Sequence, residues 1–183
     1  MWIPSNGGAC RILISVHKAF RSCPRCKEKL THQRHEYLQC SSCSFQFYLN
    51  PAPCVAVILN NEKGDLLLVQ RARSPKKGYW DLPGGFMAQG ESAEVALRRE
   101  VKEELGVTTK HVTYQGSYPD RYRYKTVNYH VVTFVYTGIL ASEKKIVAAD
   151  DVSAFHWFHR TNLPWSTIAF PSLQKALKDY CAL

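Results

Sequence analysis

Two patterns of apolar positions alternate along the chain. Short, near-continuous runs of aliphatic residues predict strands at Cys54–Asn60 (CVAVILN) and Leu66–Val69 (LLLV). The polar stretch Asn61-Glu62-Lys63-Gly64-Asp65 between them predicts a turn, with Gly64 supplying positive φ. Val, Thr, Phe and Tyr content marks further strands at Val112–Tyr114, Tyr129–Tyr136 and Ala154–Phe158. Elsewhere the apolar period lengthens to three or four. Ala93, Leu97, Val101 and Leu105 form one such stripe, in a segment free of Gly and Pro that begins after Ser92, an N-cap, and stops at Gly106. Leu173, Ala176, Leu177 and Tyr180 form another, with Pro171 in the first turn.

The 183 residues suit one domain, or one of about 130 residues with a small module beside it. With 45% hydrophobic and 21% charged residues, wholesale disorder is excluded. No apolar run approaches the roughly 18 residues of a membrane span, so no membrane partner is expected. The net charge of +9 favours anionic partners without choosing among them. Seven cysteines, an odd number, argue for a reducing compartment. The first twenty residues lack the apolar core of a secretory signal, and a cytoplasmic location is expected; their basic, acid-free composition leaves an organelle transit peptide open.

Four of the cysteines, Cys23, Cys26, Cys40 and Cys43, read C-x2-C, thirteen residues, C-x2-C. Two thiolates two residues apart grip one face of a metal, and a second such turn completes the sulfur tetrahedron that zinc prefers. Redox dithiols and plain buried thiols fit two matched pairs at hairpin spacing less well. A four-sulfur site is closed to water, so zinc here folds the module and does not catalyse. His32 and His35, between the pairs, are expected as exposed hairpin residues, not ligands.

The helix after Ser92 carries Glu100, Glu103 and Glu104 at i, i+3 and i+4, which gathers their carboxylates beside the apolar stripe; Glu91 stands just before it. Like charges about 4 Å apart repel by about 4 kcal/mol at an effective dielectric near 20, and a divalent cation removes that cost. Oxygen-rich sets suit Mg²⁺ or Mn²⁺, which keep positions free for phosphates and water. Three glutamates alone are more often a solvated helix face; Arg99 and the Gly84-Gly85 loop change that balance.

These residues resemble the Nudix signature G-x5-E-x7-R-E-U-x-E-E-x-G-U, where U is bulky and aliphatic. Gly85, Glu91, Arg99, Glu100, Val101, Glu103, Glu104, Gly106 and Val107 fill its fixed places over 23 residues. The resemblance implies an α+β, α-β-α sandwich, a mixed sheet between helices. With the ribbon, this predicts an extension at 1–20, a zinc ribbon at 21–50 and a Nudix hydrolase domain at 51–183. It implies Glu100 and Glu104 as main metal ligands, Glu103 as a further ligand or a water-activating base, and Glu91 as the partner of Arg99. Gly84 and Gly85 let backbone approach the substrate and metal closely. The general base stays open among Glu103, Glu104, Glu143, Asp150 and Asp151. Basic residues before and after the signature, Arg71, Arg73, Lys76, Lys77, Arg121, Arg123 and Lys125, are candidates to hold the anion. One of Tyr118, Tyr122, Tyr124 or Tyr129 is a candidate to stack on a base, although core packing is the commoner role for a tyrosine.

The implied reaction is metal-dependent hydrolysis of a nucleoside diphosphate linked to another moiety. Zinc-ribbon NADH pyrophosphatases, some of which remove NAD caps from RNA, carry S-Q-P-W-P-F-P-x-S after the signature; Gly116–Tyr124 (GSYPDRYRY) lacks it. The tail L-P-x-x-x-I-A-F-x-S of ADP-ribose and FAD pyrophosphatases is matched by Leu163–Ser172. A non-catalytic protein that binds RNA or a nucleotide ligand is the competing class, which the intact glutamates disfavour. Nucleic acid and a homodimer stay open as partners.

Overall fold

The computed structural model describes residues 14–15, 20–33 and 37–182. Most of the expected extension at 1–20, and His35, lie outside the described residues. The chain divides into two compact units, one of residues 1–50 with 121–129 and the other of residues 51–120 with 130–183.

In the first unit, β2 (Leu30–Gln33), β3 (Tyr37–Cys40) and β4 (Gln46–Tyr48) make an antiparallel sheet in that order. Cys23, Leu30, Leu38 and Cys40 are its buried core, with Phe45 and Leu49 packed against them. The two C-x-x-C segments are matched turns. Lys27 N donates to Cys23 O at 2.9 Å and Ser44 N to Cys40 O at 3.2 Å. Lys27 (φ 69°) and Ser44 (φ 58°) both follow the second cysteine of their pair in left-handed backbone. Non-glycine residues hold that conformation only where surroundings impose it.

The second unit is built on β5 (Ala52–Asn60), β6 (Leu66–Arg71), β7 (Trp80–Asp81), β8 (Gly84–Phe86), β9 (Thr109–Tyr124), β10 (Val127–Leu140) and β11 (Val152–Phe158). The tip of the β9–β10 hairpin, residues 121–129, belongs to the first unit, where β1 (Ile14–Ser15) pairs in parallel with Val127–Asn128. The strand order is β10-β5-β6-β11, with β10 parallel to β5 and the other pairs antiparallel. Helices α1 (Ala93–Leu105) and α2 (Pro171–Cys181) cover the two faces. The period-two backbone divides the apolar runs between them. Val55, Val57, Leu59, Leu67 and Val69 pack with α1, while Ala56, Ile58, Leu66 and Leu68 pack with α2. That is the expected mixed sheet between helices.

Both helices start and stop where the sequence places them. Ser92 Oγ accepts from Val95 N at 3.3 Å, and Gly106 closes α1 at φ 70°. The stripe of α1 differs in composition: Ala96 is fully buried where Ala93 is only half-buried, and Glu104 is buried within it. β9 and β10 also run well beyond the expected Val112–Tyr114 and Tyr129–Tyr136, because exposed polar positions interrupt their apolar pattern. Among the described residues no helix is long and apolar enough to cross a membrane.

Candidate active site

The site begins with a backbone fit. β8 runs antiparallel to β5, opposing Gly84 to Ala56 and Gly85 to Val55. A Cβ on Gly84 (φ 149°) would overlap the carbonyl oxygen of Val55 and lie 2.7 Å from Ala56 Cα. A Cβ on Gly85 would stand 2.7 Å from the Glu100 carboxylate. The Gly84 contacts are with backbone and leave no room for a side chain, so glycine is what lets this strand onto the sheet; at Gly85 a Cβ would push the Glu100 carboxylate aside.

Arg99 ties the loop to α1. Its Nε and Nη2 donate to the two oxygens of Glu91 at 2.7 and 2.9 Å, and Nη2 also reaches Phe86 O at 3.0 Å. Nη1 donates to Glu100 Oε1 at 2.7 Å and to Glu103 Oε2 at 3.0 Å. Glu91 in turn accepts from Ala88 N at 2.9 Å. The Arg99 hydrogen bonds, and then the Ala88 amide, hold the Glu91 carboxyl down at about 2. The same carboxylates push the Arg99 guanidinium up.

Glu104 sits differently. It is buried, and its Oε2 accepts from Gly84 N at 3.0 Å. Burial raises its pKa well above the usual carboxylate range, and the charges of Asp81, Glu100 and Asp151 add to the rise. Glu100 is raised too, by burial first, against the pull of Arg99. Desolvated oxygens beside other acids are a donor set that a divalent cation would relieve. Among the described residues, however, no three carboxylates bring oxygens within 4.8 Å of one another; the four cysteines are the one group that does so with its sulfurs.

Asp81 is an acid that the motif reading passed over. It is buried, pairs with Arg71 Nη1 at 2.6 Å, and accepts from Leu82 N at 2.9 Å. Arg71 also donates to Pro75 O at 2.8 Å and lies 5.0 Å from the Phe170 ring centroid. Its guanidinium is thus committed to protein partners. Arg73, by contrast, is exposed and pairs with Asp151 at 2.7 Å and Asp150 at 3.7 Å. Those two acids follow a segment bonded to the end of α1, through Val147 N to Leu105 O at 3.1 Å and Ala149 N to Glu104 O at 3.0 Å. Glu143 lies in a separate 3-10 turn. The tail motif reaches the entry to the glycine loop, where Ile168 bridges to Trp80 and Ala169 N donates to Trp80 O at 2.8 Å. Tyr118 is buried, whereas Tyr124 and Tyr129 are exposed; Arg121, Arg123, Lys125 and Tyr122 belong to the first unit, not to this one.

The cysteine centre is closed. Cys23 Sγ lies 3.6 Å from Cys43 Sγ, and Cys26 Sγ lies 3.4 Å from Cys40 Sγ. Arg25 N donates to Cys23 Sγ at 3.4 Å. Backbone N–H groups, that of Cys43 foremost, outweigh burial and hold the Cys40 thiol down at about 7. Four convergent sulfurs with amides aimed at their charge fit a tetrahedral thiophilic metal.

Residues 50–180 match the NUDIX domain. The chain belongs to the Nudix family. An ADP-ribose pyrophosphatase of Methanocaldococcus jannaschii is 37% identical over 139 residues, 74% of this chain and 76% of that protein. The NAD-capped RNA hydrolase NudC of Klebsiella pneumoniae is 27% identical over 153 residues; the match takes in 83% of this chain but 56% of NudC. A NUDIX hydrolase from Nitrosomonas europaea superposes with a TM-score of 0.67 and 25% identity, over 89% of this chain and 91% of that one. The protein is therefore a Nudix hydrolase, and Nudix hydrolases use a divalent metal. Its Glu91–Arg99 pair and Gly84–Glu104 hydrogen bond lock the signature loop to the signature helix from both ends.

Proposed function

We propose that this Nudix hydrolase cleaves the pyrophosphate linkage of ADP-ribose, or of a close relative such as FAD, giving AMP and the phosphorylated other half. The observation that carries the reading is the Gly84 N–H to Glu104 contact, which sets a buried carboxylate and a side-chain-free strand on one spot. The archaeal ADP-ribose pyrophosphatase, matched over three quarters of both chains, and the Leu163–Ser172 tail support the substrate class.

Glu100 and Glu104 would hold Mg²⁺ or Mn²⁺, with Glu103 as a further ligand. When bound, the cation supplies charge neutralisation at the phosphate oxygens and makes water more acidic. Arg99 holds Glu100 and Glu103 in place, and Gly84 orients Glu104. Gly85 keeps the loop clear so that a diphosphate approaches the carboxylates. Water oxygen bonds to one phosphorus as the bridging P–O bond breaks, and the other phosphate leaves as the oxyanion. The water's proton passes to a carboxylate. Asp150 and Asp151 are favoured over Glu143 for that role, because their segment is bonded to the end of α1. Arg73, close to both, is the better placed basic residue to meet the anion. Zn²⁺ on the four cysteines would be structural.

The test is a panel of ADP-ribose, FAD, NADH, NAD⁺, diadenosine polyphosphates, nucleoside triphosphates and NAD-capped RNA, with Mg²⁺ or Mn²⁺ and products resolved by chromatography. ADP-ribose or FAD should show the highest kcat/KM. A preference for NADH, capped RNA or triphosphates would move the protein to another substrate group.

A further inference from the structure

The excess positive charge is distributed very unevenly. Residues 1–50 and 121–129 hold ten of the 24 Lys and Arg but only two of the 15 Asp and Glu, so the first unit carries +8 of the chain's +9. Four thiolates around a divalent cation would subtract about two charges, which still leaves a strongly basic unit. The remaining residues, with fourteen basic and thirteen acidic side chains, are close to neutral. An asymmetry of this size is the electrostatic footprint of a polyanion site.

Most of the ten side chains behind the charge are exposed. Arg21, Arg25, Lys27 and Lys29 on the ribbon, with Arg123 and Lys125 at the hairpin tip, are all exposed, and none forms an ion pair among the described residues. The same unit also exposes aromatic rings. The edge strand β4 exposes all three of its residues, with Phe47 36% and Tyr48 58% accessible. Phe47 is 4.9 Å from the ring of Phe20, and Tyr48 is 5.6 Å from that of Tyr37. At the hairpin tip Tyr124 is 46% accessible, with Lys125 5.4 Å from its ring centroid. Among the described residues, the large hydrophobic residues exposed on this unit are all aromatic, whereas those on the other unit include Val95, Ile139 and Val147. A lipid surface asks for aliphatic bulk as well as charge. Exposed flat rings and exposed cations on one unit match the bases and phosphates of a single strand.

We infer that the ribbon and hairpin-tip unit is a binding surface for single-stranded nucleic acid, distinct in its residues from the hydrolytic glutamates. Its cations contact phosphates, and the rings of Tyr48 and Tyr124 stack on bases. Recognition is by charge and stacking, with little sequence preference. This stands independently of which diphosphate the Nudix domain cleaves.

The experiment is fluorescence anisotropy of the zinc-loaded full chain with labelled U20 and dT20, a 20-base-pair duplex, and vesicles of phosphatidylcholine and phosphatidylserine. A salt series accompanies each probe. Four or five phosphate contacts should give a slope of log K against log salt of about −3 on single strands. Arg25→Glu with Lys29→Glu should weaken U20 binding at least tenfold and flatten the slope. Tyr48→Ala should weaken it about fivefold or more without changing the slope, a result that charge alone does not produce. Lys110→Glu with Lys145→Glu, an equal charge change on exposed residues of the other unit, should alter binding less than threefold. Zinc content of one per chain shows that the ribbon variants are folded. No binding of U20 or dT20, equal losses from both charge reversals, tighter binding to duplex, or binding to vesicles alone would each overturn the assignment.

Discussion

Four sulfurs in one unit converge within 4.8 Å of one another, with backbone amides donating to them, whereas in the other unit an arginine and a glycine amide divide the carboxylates between them. Both are clusters of metal-ligand residue types, but they are built for different tasks. The cysteine turns are part of their unit's small core, so the centre and the fold stand or fall together. The glutamates lie on a helix that Ala96, Leu97, Val101 and Leu105 already anchor to a sheet covered on both faces. Their scaffold does not need the metal. The sulfurs close on one point, whereas the carboxylates are held apart on a rigid frame with Arg99 between them.

The largest effect expected from breaking the comparison is on the sulfur side. Cys40→Ser removes one of four ligands from a site type worth roughly 10–16 kcal/mol at neutral pH. Elemental analysis should show zinc falling well below one per chain, and amide exchange should show the β2–β4 sheet losing protection, while most ADP-ribose hydrolysis survives. Arg99→Gln comes next. It leaves Glu91, Glu100 and Glu103 without their shared partner, and kcat/KM should fall about 10- to 100-fold. Partial exposure of Arg99 limits the stability cost to about 1–3 kcal/mol, read from thermal or urea unfolding.

How legible these arrangements were in the sequence depended on how local they are. Ser92, Gly106 and the stripe of α1 announce a helix by nearest-neighbour chemistry, and the structure has it at Ala93–Leu105. The spacing of the cysteines likewise carried most of the ribbon. The burial of Glu104 was not legible, because its environment comes from Gly84, Asp81 and the segment leading to Asp151, none of them on its own helix. The same holds for Arg71, a candidate anion contact by position, whose guanidinium meets Asp81 ten residues later and the ring of Phe170. An acid between Trp80 and Leu82 in an otherwise apolar approach to the glycines was the available signal for Asp81.

The smallest effects concern pH, and Glu91 and Glu104 should differ in sign. Glu91 is depressed to about 2, so its ionised form stabilises the fold above the ordinary carboxylate range and that contribution is lost as pH falls through 2. Glu91→Gln should therefore lower Tm at pH 7, with the gap to the parent closing on acidification. Glu104 is raised, so the metal-free fold is favoured by its protonated form at low pH and loses that contribution as pH rises through the folded-state value. Metal-free Glu104→Gln should match or exceed the parent's Tm at neutral pH and lose that advantage as pH falls. Differential scanning calorimetry without added Mg²⁺ or Mn²⁺ across pH 2–8, comparing each variant with the parent under the same conditions, reads both.

The most direct test of the account is kcat for ADP-ribose cleavage by Glu104→Gln at saturating Mg²⁺, set beside Glu143→Gln. Glutamine keeps the size and the helix preference of glutamate but removes the charge that would hold the cation opposite Gly84. Glu104→Gln should lose more than about 100-fold in kcat, roughly 3 kcal/mol of barrier, with its circular dichroism unchanged. Glu143→Gln should stay within about threefold of the parent. Full turnover by Glu104→Gln, with its metal dependence intact, would contradict the placement of the hydrolytic centre on this helix.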